Sequence, residues 1–202
     1  MLIGLNGRAG AGKDTVCDFI KEYGAQRDLT VKREAFADRL KQSAARIFFP
    51  DVDVNLGVQW CNAIKMDGAL LLVIENEGGR AGHVISGREF LQRYGTECHR
   101  EVFGKDFWIE AALEDLSADI TVVTDVRFTN EADAIFDRGG EVWQIIRPGH
   151  DIAGTTHASE RPLDPTRVDQ TLLNNGSLTS LLEVTFQQLD RCLRPVLTRQ
   201  SA

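Results

Sequence analysis

Two apolar periods alternate along the chain, and each switch between them marks an element. Leu2–Asn6 is a short continuous apolar run followed by a glycine-rich turn. Val16, Phe19, Ile20 and Tyr23 then recur at helical spacing until Gly24, which reads as strand, loop, helix. Residues 29–36 have β character, and 37–48 carry a helical pattern ended by Pro50. Residues 51–82 are less legible and read as an insertion: 58–74 fits one helix, or a helix and a strand, and ENEGGRAG is a loop. Ser86 and Glu89 have capping-box spacing at the head of a helix that reaches Gly95 or beyond. The pattern further predicts a helix over 106–116, a buried strand over 120–124, a helix over 131–138 closed by Gly139-Gly140, and a strand over 141–146. A polar irregular loop over 150–165 precedes a last strand at 168–173. Asn174 to Ser177 then cap a C-terminal helix running to about Leu193.

Strands alternating with helices predict an α/β fold: a mostly parallel five-stranded sheet with helices on both faces. A chain of 202 residues, 43% hydrophobic, suggests one domain over 1–202 with an insertion at about 51–82 and a lid-like loop at about 148–165. The net charge of −7 leaves no general electrostatic footprint for nucleic acid, so any anion site must be local. Cys17, Cys61, Cys98 and Cys192 are scattered and form no C-x-x-C pair, which argues against a zinc site or a disulfide framework and for a reducing compartment. The chain opens without a basic leader, and its longest apolar run, 69–74, is too short to span a bilayer. The expectation is a cytoplasmic protein with no membrane partner.

The first turn carries the chemistry. Gly7, Arg8, Ala9, Gly10, Ala11, Gly12 and Lys13 fit G-x-x-x-x-G-K between a strand and an amphipathic helix. Glycines let backbone N–H groups turn inward around an anion, the helix presents its positive end, and the lysine reaches the terminal phosphates. Asp14 stands where such loops usually carry a hydroxyl, and Thr15 supplies a hydroxyl one place on. A carboxylate is also a hard oxygen ligand suited to Mg²⁺, so Asp14 narrows the phosphate reading rather than cancelling it. The alternative is that Asp14 only complements the helix dipole.

GLNGRAGAGKDTV, FADRLK, GREFLQRYGTECHR, the Trp108 helix, VVTDVRFTNEAD, HASE and LLNNGSL together resemble the deoxynucleoside monophosphate kinases of tailed phages, a branch of the P-loop kinases. They span most of the chain; 51–82 has no counterpart, and Arg39 stands where the family usually has proline. The resemblance implies ATP- and Mg²⁺-dependent transfer of a γ-phosphoryl group to a deoxynucleoside 5′-monophosphate for DNA precursor synthesis, and a homodimer is compatible with it. It places Asp38, Arg39 and Lys41 before the acceptor nucleotide, Arg127 on the acceptor phosphate, Arg100 and Glu160 among the substrate residues, and Asn174 to Ser177, with Asn175 as the binding residue, at the adenine of the donor nucleotide.

Several of these residues also read from their own chemistry. Asp125 follows an apolar strand, and ligands of parallel sheets gather at the carboxyl ends of strands, so Asp125 can join Asp14 in holding Mg²⁺; otherwise it caps the next helix. Arg127 offers a guanidinium to paired phosphate oxygens, or a surface ion pair to Glu131. Lys13, Asp125 and Arg127 are the catalytic candidates. Arg88 and Gln92 share a helix face at i, i+4 and would line an acceptor pocket. Arg93 reads as part of a solvated ion-pair ladder, and Trp108 and Phe107 as core. Arg147, His157, Glu160 and Arg161 bracket the irregular loop, which would close over ATP as a flap. Two other readings stay open: a P-loop kinase of another small phosphorylated metabolite, and a nucleotide-binding regulatory protein.

Overall fold

The structure, a computed structural model, describes residues 1–66, 70–73, 83–149 and 163–200. In chain order its elements begin with β1 Leu2–Asn6, α1 Lys13–Ala25, β2 Val31–Glu34, α2 Phe36–Phe48, α3 Val54–Met66, β3 Leu70–Val73, β4 His83–Ser86 and α4 Gly87–Gly95. A π-helical turn, Thr96–Arg100, leads into α5 Glu101–Phe103. Then come α6 Phe107–Leu113, β5 Ile120–Val126, α7 Thr129–Phe136, β6 Glu141–Ile146, a 3-10 turn Pro165–Arg167, β7 Gln170–Leu173 and α8 Leu178–Gln200. The chain forms two compact units, Met1–Ala35 with Asp115–Ala202, and Phe36–Glu114. Among the described residues no helix is long and apolar enough to cross a membrane.

In the first unit the strands lie in the order β2-β5-β1-β6-β7, and every neighbouring pair is parallel. A parallel sheet is covered on both faces, which is why its central strands β1 and β5 read as nearly continuous apolar runs. Ile3 and Leu5 of β1, Ile120 and Val122 of β5, and Trp143 and Ile145 of β6 pack with Val16, Ile20 and Tyr23 of α1 and Leu181 and Leu189 of α8. On the other face, the α-carbon of Gly4 lies against Ile135 of α7, with Val126 and Val142 beside it.

Strand β5 changes face near its end. Gly4 pairs with Val123 but Asn6 pairs with Val126, so β5 carries one extra residue at Thr124–Asp125. Val122 belongs to the α1 side of the sheet. Strict alternation would put Val126 there too, yet Val126 meets Gly4 on the α7 side. Such a bulge re-aims side chains, and Asp125 lies within it, at the end of β5 next to the end of β1.

Helices α1 and α8 are tied by a polar contact at the edge of their apolar seam. Tyr23 is fully buried and its hydroxyl donates to Asp190 Oδ1 at 2.6 Å. Arg27 lies 3.7 Å over the Tyr23 ring. Burial first, and the hydrogen bond to Asp190 second, push the phenol up to about 12. Since the ordinary phenol value is about 10, the folded state favours the neutral ring. Its contribution is fully present below pH ~10 and is lost as pH rises through the folded value. We expect the urea midpoint to fall between pH ~10 and ~12, and Tyr23→Phe to remove that part of the fall while lowering stability at neutral pH by about 1 kcal/mol. Identical alkaline slopes in the two proteins would refute the assignment.

In the second unit, Ala44, Cys61, Leu91, Tyr94 and Trp108 form a core flanked by Leu40, Phe90 and Phe107. Ser86 accepts the Glu89 N–H at 3.1 Å and starts α4 as its spacing predicts. The stretch that fitted either one helix or a helix and a strand is α3 followed by β3. Strand β3 pairs antiparallel with β4, a strand the apolar pattern did not suggest. The π-helical turn leaves carbonyls to side chains: Trp108 Nε1 donates to Gly95 O at 3.0 Å, and His99 Nδ1 lies 2.7 Å from Tyr94 O. Trp108, 3% exposed, is a core residue.

Candidate active site

The glycine loop leaves the carboxyl end of the central strand β1 and opens α1. Gly10 has φ 75° and Gly12 has φ 105°, a region that side chains other than glycine enter at a cost of ~1 kcal/mol or more. A Cβ on Gly12 would meet Asn174 Nδ2 at 2.7 Å. Gly12 is the N-cap of α1 and supplies no side-chain cap, so the first-turn amides have no intrahelical acceptor and are available to an anion.

Side chains hold the loop from its carbonyl edge. Lys13 Nζ donates to Gly7 O at 2.7 Å and to Arg8 O at 2.9 Å. Arg147, at the end of β6, reaches Gly10 O at 3.4 Å, and Asn174 Nδ2 donates to Ala11 O at 2.9 Å. With carbonyls engaged by donors, the edge left for a ligand is one of amide N–H groups and cations. Arg8 and Ala9 are exposed on the loop and Ala11 is buried beneath it. We expect Gly12→Ala to strain the backbone and push Asn174 aside. It should weaken the binding of inorganic tripolyphosphate, measured by calorimetry, about tenfold, equivalent to ~1.4 kcal/mol, and an unchanged affinity would show that the close approach is unimportant.

Asp125 sits at the β5 bulge and is half-buried. The neighbouring end of β1 is fixed to it, because Asn6, buried, donates through Nδ2 to Val126 O at 2.9 Å. Asp14 is exposed in the first turn of α1, with Thr15 half-buried beside it. Among the described residues no group of three or more His, Cys, Asp or Glu is arranged to hold a metal. A magnesium site made of one or two carboxylates and substrate phosphates fits this donor set; an all-protein cage does not. Arg127 is exposed just beyond β5. Its backbone N–H and that of Phe128 donate to the buried Glu131 carboxylate at 2.7 and 3.0 Å. Glu131 therefore caps the start of α7.

The remaining sequence candidates divide by location. Asp38, Arg39, Lys41, Arg88, Gln92 and Arg100 all lie in the second unit. Lys41 pairs with Asp38 at 3.0 Å, both mostly buried. Arg88 and Gln92 are exposed on α4. Arg93 pairs with Glu89 at 2.9 Å, a solvated ion pair. Arg100 is half-buried, and its Nε is enclosed without a hydrogen-bond partner among the described residues. His157, Glu160, Arg161 and most of the lid-like loop lie outside the described residues. Asn175 is exposed, and the side chain that bonds the loop is its neighbour Asn174. The segment LLNNGSL pointed to this place, but the choice between adjacent asparagines is made by strand register.

An all-parallel sheet with helices on both faces, opening through a glycine loop and a lysine into its first helix, defines the P-loop kinase fold. Residues 61–184 match the deoxynucleotide monophosphate kinase family. The chain belongs to that family, and with it to the phosphotransferases. It is 28% identical to a protein of Acanthamoeba polyphaga mimivirus provisionally named deoxynucleotide monophosphate kinase, over 96% of each chain. It is 26% identical to the deoxynucleoside-5′-monophosphate kinase of Escherichia phage T5, covering 67% of this chain and 71% of that one.

Proposed function

We propose that this protein transfers the γ-phosphoryl group of ATP, as its Mg²⁺ complex, to a deoxynucleoside 5′-monophosphate, giving the diphosphate for DNA precursor synthesis. The carrying observation is the loop whose carbonyls are held by Lys13, Arg147 and Asn174. The family match begins at residue 61, beyond the loop, so the two lines of support are independent.

In this reading the loop amides from Gly7 to Thr15 and the start of α1 bind the donor polyphosphate, and Lys13 draws charge from its terminal groups. Asp125 and Asp14, with Thr15, hold the divalent cation, which when bound neutralises phosphate charge. Arg127 orients the acceptor phosphate, and Arg147 braces the loop while its charge faces the donor. Asp38, Arg39, Lys41, Arg88, Gln92, Arg100 and Glu160 recognise the acceptor nucleotide, and Asn175 lies toward the donor base. The attacking oxygen is a phosphate oxygen already ionised near neutral pH, so no general base is needed. Positioning and charge stabilisation carry the rate.

The test is a panel: purified protein with ATP, Mg²⁺ and each common deoxynucleoside monophosphate, with products separated by chromatography. Diphosphate should form from at least one acceptor. ATP binding with no diphosphate from any acceptor, modified bases included, would leave another phosphorylated metabolite or a regulatory role as the reading.

A further inference from the structure

Asn174 is 163 residues from Ala11 in sequence, and the proposed reaction assigns its side chain no step. Its backbone N–H donates to Ile146 O at 2.8 Å, one step beyond the Ile146–Leu173 register of β6 and β7. The sheet thus fixes where this residue begins, and its side chain crosses to the loop. There Nδ2 donates to Ala11 O at 2.9 Å and occupies the space a Gly12 Cβ would need. We infer that Asn174 is a positioning residue for the donor polyphosphate: it holds the Ala11–Gly12 peptide so that the Gly12 N–H is presented to the phosphates.

The step follows from peptide geometry. Carbonyl and N–H of one trans peptide are coplanar and point in opposite directions. A donor that fixes the Ala11 carbonyl toward β7 turns the Gly12 N–H the other way. Gly12 has φ 105° and no side chain to resist rotation, so a clamp on the Ala11 carbonyl fixes a peptide that glycine leaves free to turn. Lys13 and Arg147 hold other carbonyls of the loop but also bring charge. Asn174 is neutral, so its removal tests orientation without changing the field on the phosphates. This inference rests on the proposed reading of the loop as the donor site.

The experiment compares Asn174→Ala and the isosteric Asn174→Asp with the full-length wild type. Loss of one constrained hydrogen bond should raise the KM for MgATP about five- to tenfold in Asn174→Ala. The acceptor KM should stay within about twofold, and the melting temperature should fall by no more than about 2–4 °C. Asn174→Asp, whose carboxylate cannot donate to the Ala11 carbonyl and repels it, should weaken the donor further. Binding of inorganic tripolyphosphate, measured by calorimetry, should weaken in parallel. Wild-type donor KM and tripolyphosphate affinity in both variants would overturn the inference. So would a rise in both KM values together with a large loss of thermal stability, which marks a folding role only. If wild type binds tripolyphosphate, Asn174→Ala weakens it, and no deoxynucleotide is phosphorylated, the acceptor reading fails and the role of Asn174 stands. If wild type binds no tripolyphosphate, both fail.

Discussion

Lys13→Ala should abolish measurable phosphoryl transfer while leaving the protein folded. The ammonium is bonded at once to Gly7 O and Arg8 O, so it does two jobs in the proposed reaction. It keeps the first two peptides of the loop turned, and it supplies the positive charge nearest the phosphates. Removing a single preorganised donor from a charge-stabilising site costs about 10²–10³ in kcat. Here a full charge and two carbonyl anchors go together, so a fall of about 10³ or more, ~4 kcal/mol, is expected. Lys13→Arg should not rescue it, because a planar guanidinium cannot reproduce the compact double contact of an ammonium. The side chain is only half-buried and sits at a helix start, so the melting temperature should move by a few degrees at most. Steady-state turnover and thermal melts of the two variants check this. Activity within about tenfold of wild type would remove the loop from the reaction.

What could be read from the sequence was whatever local spacing determines. The loop is seven consecutive residues and a helix, and its glycines and lysine announce themselves without reference to the rest of the chain. The central strands β1 and β5 were legible for a related reason: burial on both faces leaves runs such as ITVV that need no partner to be recognised. Decisions made by register were not legible. Asn174 rather than Asn175 meets the loop because β7 pairs with β6 one step past Leu173, and nothing in NNGS fixes that step. Strand β4 is four residues between a glycine-rich loop and a helix cap, and it is a strand because β3 pairs with it. The wide turn after Gly95 is likewise tertiary in origin, since Trp108 takes the Gly95 carbonyl. The C-terminal helix, expected to end near Leu193, runs on to Gln200.

Asp125→Asn is the second large expected loss, and it follows from the same limit. Sequence places an acidic residue at a strand end; the bulge decides which way it faces. Because β5 slips by one residue against β1, Asp125 lies in a bulge rather than in regular strand, and the bond from Asn6 to Val126 pins the strand end beside the loop. Asp14, the other candidate ligand, is exposed, where water and salt screen its charge. A half-buried carboxylate on a strand is both less screened and better held, so Asp125 should dominate cation binding. Asn keeps the shape and one oxygen but removes the charge. We expect the Mg²⁺ concentration for half-maximal activity to rise about tenfold and kcat to fall by about 10² in Asp125→Asn, in line with the cost of losing one metal or electrostatic contact. Asp14→Asn should change either by only about two- to threefold, the size of an exposed charge at a helix start. The measurement is activity against Mg²⁺ for both variants at fixed ATP. Equal effects, or a larger one from Asp14, would mean that the exposed carboxylate is the ligand and that the bulge serves packing alone.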